Sequence, residues 1–81
     1  MSGLFVFPGG FPPLRPHPLT GRELEVVELA AHGKRSAEIA ETLGISPRTV
    51  RTHRHHILAK LRVPTMTAAV YLLVKEGLVK L

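Results

Sequence analysis

From Thr20 onward apolar and polar residues alternate at a helical period, and each periodic stretch is bracketed by residues that start or stop a helix. The stretch "LTGRELEVVELAAHG" opens with a threonine followed three residues later by a glutamate. Thr20 can accept from a first-turn N–H while Glu23 reaches back to the N–H of Thr20, and Leu19 and Leu24 fall at the positions of a hydrophobic staple. Val26, Val27 and Ala30 then share one face, and Gly33 supplies a left-handed stop, which predicts a helix over about residues 21–32. A second helix, about 36–43, turns Ile39, Ala40 and Leu43 inward and stops at Gly44. Ser46 caps a third helix, about 47–61, with Pro47 at its first position, where a missing N–H costs nothing. Thr65 caps a fourth, about 66–76, that ends at Gly77. No strand signal competes, so the expected fold is all-α: a four-helix bundle containing a helix-turn-helix.

Residues 1–18, "MSGLFVFPGGFPPLRPHP", break this pattern. Pro8, Pro12, Pro13, Pro16 and Pro18 remove backbone donors, and Gly3, Gly9 and Gly10 add freedom, so an irregular arm is expected ahead of a folded domain over 19–81. The arm's apolar cluster, Leu4, Phe5, Val6, Phe7 and Phe11, offers a docking segment for the domain or for a partner. The plainer reading is a loose terminus.

Eighty-one residues support a single small core. A cleft-forming enzyme is not expected from a chain of this size, nor is a cofactor. The lack of cysteine excludes disulfides and thiolate metal sites. The longest apolar run, "AAVYLLV", is far short of the roughly 20 residues that cross a bilayer, so no membrane association is expected. Charge changes the picture more. The net charge is +5, and it is unevenly spread. Thr20 to Glu41 holds five acids, Glu23, Glu25, Glu28, Glu38 and Glu41, against three bases, Arg22, Lys34 and Arg35. Thr42 to Lys75 holds no acid, while Arg48, Arg51, Arg54, Lys60, Arg62 and Lys75 are all basic. An acidic scaffold followed by a cationic surface points to a polyanionic partner such as nucleic acid.

The third helix concentrates that charge. Val50, Ile57 and Leu61 lie within about 40° of one another and form the expected buried seam. Arg48, Thr52, His55 and Ala59 lie opposite, flanked by Arg51. Two helices joined by a short glycine-bearing turn present the second one to a major groove, where arginine reads guanine bidentately, threonine offers a methyl or hydroxyl, and histidine donates to a base or phosphate. Many unrelated helical hairpins share the bare spacing. The histidines at 53 and 56 stand three apart, yet no acid or cysteine lies near them and the arginines repel a dication, so no metal site is expected. A catalytic histidine would need an orienting carboxylate and a nucleophile, and neither is arranged. His53, beside the seam, is expected to be half-buried, with an N–H on a carbonyl or phosphate. Arg54 and Glu23 both fall on inward-leaning positions, which predicts a partly buried Glu23–Arg54 pair; an arginine that snorkels to solvent is the alternative.

The blocks "LTGRELEVVELAAHG", "EIAETLGISPRTVRTH", "ILAKL" and "AAVYLLVKEGL" resemble, in order and spacing, the LuxR/GerE-type helix-turn-helix domain of bacterial transcription regulators, over about residues 19–79. The resemblance implies a four-helix bundle, double-stranded DNA binding by the third helix, and dimerisation through the fourth. It places Arg51, Thr52 and His55 at base-contacting positions, Thr49 on a phosphate and Lys60 near the DNA backbone. The chain departs from the family pattern at Arg35, where serine or threonine is usual. The second helix's cap is therefore expected to shift, and Arg35, beside Lys34, becomes a candidate phosphate contact. Met66 replaces a common arginine before the fourth helix. Along that helix Thr67, Tyr71, Val74 and Leu78 form the stripe expected to close a homodimer, although scattered apolar residues are also common on monomers. Family members normally carry a receiver or ligand-binding domain, so the chain reads either as a stand-alone regulator or as an excised domain that begins with linker. The bacterial cytoplasm, on the nucleoid, is the expected location. The alternative function is a sigma-region-4-like or RNA-polymerase-interacting module that uses the "LFVFPGGF" arm for protein contacts.

Overall fold

The capping box read at the start of the first helix is present. Glu23 N–H donates to Thr20 Oγ1 at 3.1 Å, and Thr20 N–H donates to Glu23 Oε1 at 2.9 Å. The computed structural model describes residues 19–81, so the expectations for the arm at 1–18 lie outside the described residues. Four helices follow in order: α1, Gly21–Ala31; α2, Ser36–Leu43; α3, Pro47–Leu61; and α4, Met66–Lys75. Among the described residues all regular structure is helical. No single helix among them is long and apolar enough to cross a membrane.

The helix ends follow local chemistry. After α1 the chain closes a Schellman motif, with Lys34 N–H on Leu29 O at 3.1 Å and Gly33 N–H on Ala30 O at 3.0 Å, and Gly33 at φ 86°. Ser46 Oγ accepts from Thr49 N–H at 3.0 Å, and Thr65 Oγ1 from Ala68 N–H at 3.1 Å, so both expected caps of α3 and α4 form. The cap of α2 does not shift to Ser36. Arg35 stays at the N-cap position and donates its N–H to Glu38 Oε1 at 2.8 Å. A guanidinium has no acceptor to return, so only that half of a box is made. α3 ends without a glycine: Arg62 takes up φ 57°, and Val63 N–H reaches Leu58 O at 3.1 Å. α1 and α4 are each one residue shorter than the pattern predicts, because His32 and Glu76 serve as their C-caps.

The core draws from every helix: Val26 and Val27, Ile39 and Ala40, Val50 and Ile57, Ala69 and Leu73, closed off by Leu19 and Val79. The expected seam of α3 is fully buried at Val50 and Ile57; Leu61 is half-buried and packs against it. α2 packs on α3, and α1 lies against both α3 and α4. Between α2 and α3 the turn is Gly44 to Ser46. Gly44 adopts φ 71°, which lets Ile45 N–H return to Ala40 O at 3.0 Å and sends α3 off across α2. That crossing fixes which face of α3 is left to solvent.

Candidate nucleic-acid interface

With Val50 and Ile57 turned inward, the opposite side of α3 is bare. Arg48, Arg51, Thr52, His55 and Ala59 are all exposed. Thr52 Oγ1 donates to Arg48 O at 3.2 Å, which holds its hydroxyl against the helix and leaves the methyl and an oxygen lone pair outward. At the N-terminal end Thr49 Oγ1 lies 2.9 Å from Ser46 Oγ, so this side chain is ordered by the cap of its own helix. Lys34 and Arg35 are exposed at the α1–α2 turn.

Two shallow grooves join these groups. One, of about 340 Å³, is lined by Ala30, Lys34, Arg54, Met66 and Val70 among others. Its neighbour, of about 370 Å³, is lined by Ser36, Arg51, Arg54, His55, Leu58 and Met66. Arg54 and Met66 belong to both, so the two grooves adjoin as one furrow, lined in one part by Lys34 and in the other by Arg51 and His55, with no acid among its lining residues.

One expectation about the basic residues is corrected. Glu23 does not pair with Arg54. Its carboxylate, 3% exposed, accepts from Lys60 Nζ at 2.7 Å, while Arg54 Nη1 donates to Ser36 Oγ at 3.0 Å. Arg54 and Lys60 flank opposite edges of the buried seam and stand about 9 Å apart along the axis. The start of α1 lies against the last turn of α3, and so meets the lysine. Lys60 thus pairs with Glu23 while staying exposed at the surface, its side chain 34% accessible. Burial raises the Glu23 carboxyl pKa, but the bond from Lys60 and those from Thr20 outweigh it and leave the group below its usual 4.5. His53 is half-buried as expected, yet its buried Nδ1 makes no hydrogen bond.

Residues 17–73 match the family described as GerE, bacterial regulatory proteins, luxR family. The chain belongs to the LuxR family. The family is one of transcription regulators, not of enzymes. This LuxR-family chain is 44% identical over 63 residues to the uncharacterized transcriptional regulatory protein YxjL of Bacillus subtilis, an alignment that takes in 78% of this chain and 29% of YxjL. It is 54% identical over 54 residues to the transcriptional regulatory protein LiaR of the same organism, covering 65% of this chain and 26% of LiaR. The chain thus spans less than a third of the length of these curated relatives. The transcription factor GerE has a similar structure, with a TM-score of 0.75 and 33% identity over 82% of this chain and 97% of GerE. Escherichia coli SdiA gives the same score and identity, with 28% of SdiA covered.

Several of the LuxR-type residues named from the sequence are brought together here. Arg48, Arg51, Thr52 and His55 share the open face of α3, and Thr49 stands on its flank. Lys34 lines the adjoining groove, and Lys60 is exposed near the other end of α3, paired with Glu23. Sequence reasoning missed Ser36 and Arg54 as furrow residues. The available signal was that Arg54 lies on the same helical stripe as Arg51, His55 and Leu58, at i, i+3, i+4 and i+7.

Proposed function

We propose that this chain is a sequence-specific double-stranded DNA-binding module of a bacterial transcription regulator, working in the cytoplasm with α3 in the major groove. One observation carries the reading: the arginine-bearing side of α3 is exposed while its apolar seam is fully buried at Val50 and Ile57. Arg51, Thr52 and His55 are the base readers, with Arg48, Thr49, Lys34 and Arg35 as phosphate contacts at the helix ends. Lys60, exposed near the C-terminal end of α3 and paired there with Glu23, is a further backbone contact. Selection of bound sites from a random duplex pool is expected to return one sequence preference, and Arg51→Ala to relax it at a single base pair by about 1–3 kcal/mol. Equal recovery of all sequences by the parent protein would rule out specific regulation.

The regulator binds as a homodimer through α4. Tyr71 is 67% exposed, Thr67 is exposed beside it and Val74 is half-buried on the same helix, whereas Leu78 lies beyond the end of α4, past left-handed Gly77, and packs half-buried against the core. Lys75 Nζ stands 5.9 Å from the Tyr71 ring centroid and keeps a cation at the rim of this patch. Sedimentation on a duplex carrying two half-sites is expected to show two chains bound, and Tyr71→Glu to leave one. A single parent chain on that duplex would remove the dimer.

A further inference from the structure

Arg54 has no place among the base readers, and its surroundings are unusual for a half-buried cation. Nη1 donates to Ser36 Oγ at 3.0 Å, and among the described residues no carboxylate lies at ion-pair distance from it. A guanidinium carries five N–H donors, so one hydroxyl satisfies a small part of it. The cations Lys34 and Arg51 line the same furrow from either side, and a half-covered charge is screened less than one in open water. Arg54 thus lines both grooves, with Lys34 in one and Arg51 in the other, and no carboxylate is among the lining residues of either. Such a site suits a ligand that supplies negative charge and several acceptor oxygens at once.

We propose that Arg54 is a phosphate anchor, oriented by Ser36, that ties the first residue of α2 and the middle of α3 to one backbone phosphate of the bound duplex. The inference rests on the DNA-binding reading above. Ser36 holds one arm of the guanidinium fork, so less side-chain freedom is lost when phosphate arrives. Arg54 itself lines the groove that Arg51 and His55 also line. A residue that served only to brace α2 against α3 would contribute to folding and release no counterions on binding.

The two roles separate in the salt dependence of binding to a mixed-sequence duplex, read with the thermal melt of the free protein. Arg54→Met keeps the apolar stem and removes the charge. It is expected to lower the magnitude of the log affinity against log salt slope by about 0.9 and to weaken binding about tenfold at low salt, whatever its effect on Tm. Arg54→Lys is expected to keep the slope, since the charge remains, and to bind less tightly than the parent because the fork is lost. Ser36→Ala is likewise expected to keep the slope. An Arg54→Met protein whose slope equals the parent's marks the residue as a brace between helices and overturns the proposal. If Arg54→Met does not fold, Arg54→Gln is measured in its place against the same slope criterion. A parent protein without salt-dependent binding to any duplex overturns the DNA-binding reading itself, a separate result.

Discussion

Ile57→Ala is expected to destabilise the protein by about 2–5 kcal/mol, the range for truncating a large aliphatic side chain in a packed core. Ile57 is fully buried and sits in the half of α3 that packs against the other helices. A domain this small has a total stability of only about 5–15 kcal/mol at best, so the loss removes a large share of it. The functional consequence follows from geometry. Ile57 is the inward counterpart of His55 and Thr52, and a cavity beneath it leaves α3 free to shift relative to α2 and to misalign the reading face. Urea denaturation should show a lowered midpoint with an unchanged slope, and Ile57→Val a loss of about 0.5–1.5 kcal/mol. A parent-like midpoint for the alanine variant would mean that α3 is not seated as described.

Lys60→Ala is expected to destabilise by about 3 kcal/mol, the low end for breaking a buried pair, because the lysine side chain keeps 34% of its exposure while the glutamate keeps 4%. The asymmetry matters. Removing the lysine leaves the Glu23 carboxylate buried with only Thr20 for company, whereas Glu23→Ala frees the ammonium to swing into water. The double variant should therefore lose less than the two single losses added together. The same carboxylate oxygen also accepts from Thr20 N–H, so this one atom holds both the first turn of α1 and the last turn of α3.

The pair carries a pH signature. Glu23 has a folded-state pKa below its usual 4.5, so its contribution is fully present above that value and is lost as the pH falls through the lower, folded value. Thermal melts should show Tm falling as the pH drops below about 4.5, and Glu23→Gln should flatten that part of the curve. A Glu23→Gln profile that tracks the parent throughout acid pH would assign the fall to other carboxylates.

How much of this was legible in the sequence divides by the range of the interactions. Caps at Thr20, Ser46 and Thr65 involve residues three apart, and the seam of Val50 and Ile57 needs only the period of the helix. These features, and the exposed set Arg48, Arg51, Thr52 and His55, follow from local backbone geometry alone and need no contact between helices to be specified. Even the cap at Arg35 shows the limit of locality. The missing acceptor was visible, but a shift to Ser36 was not needed once Glu38 reached back to the Arg35 N–H.

The sequence by itself determined that this chain makes four capped helices, that the third is apolar on one side and cationic on the other, and that its pattern belongs with LuxR-type regulators. Only the tertiary structure decided where the remaining charges go. Glu23 had two basic residues within plausible reach on α3, at opposite edges of the seam and six positions apart, and the choice of Lys60 over Arg54 depends on how α1 crosses α3. Crossing angles come from the packing of whole side-chain surfaces, to which every core residue contributes, so no spacing within a single helix encodes them. The same packing carried Arg54 to Ser36 and brought Lys34, Met66 and Arg51 around one furrow.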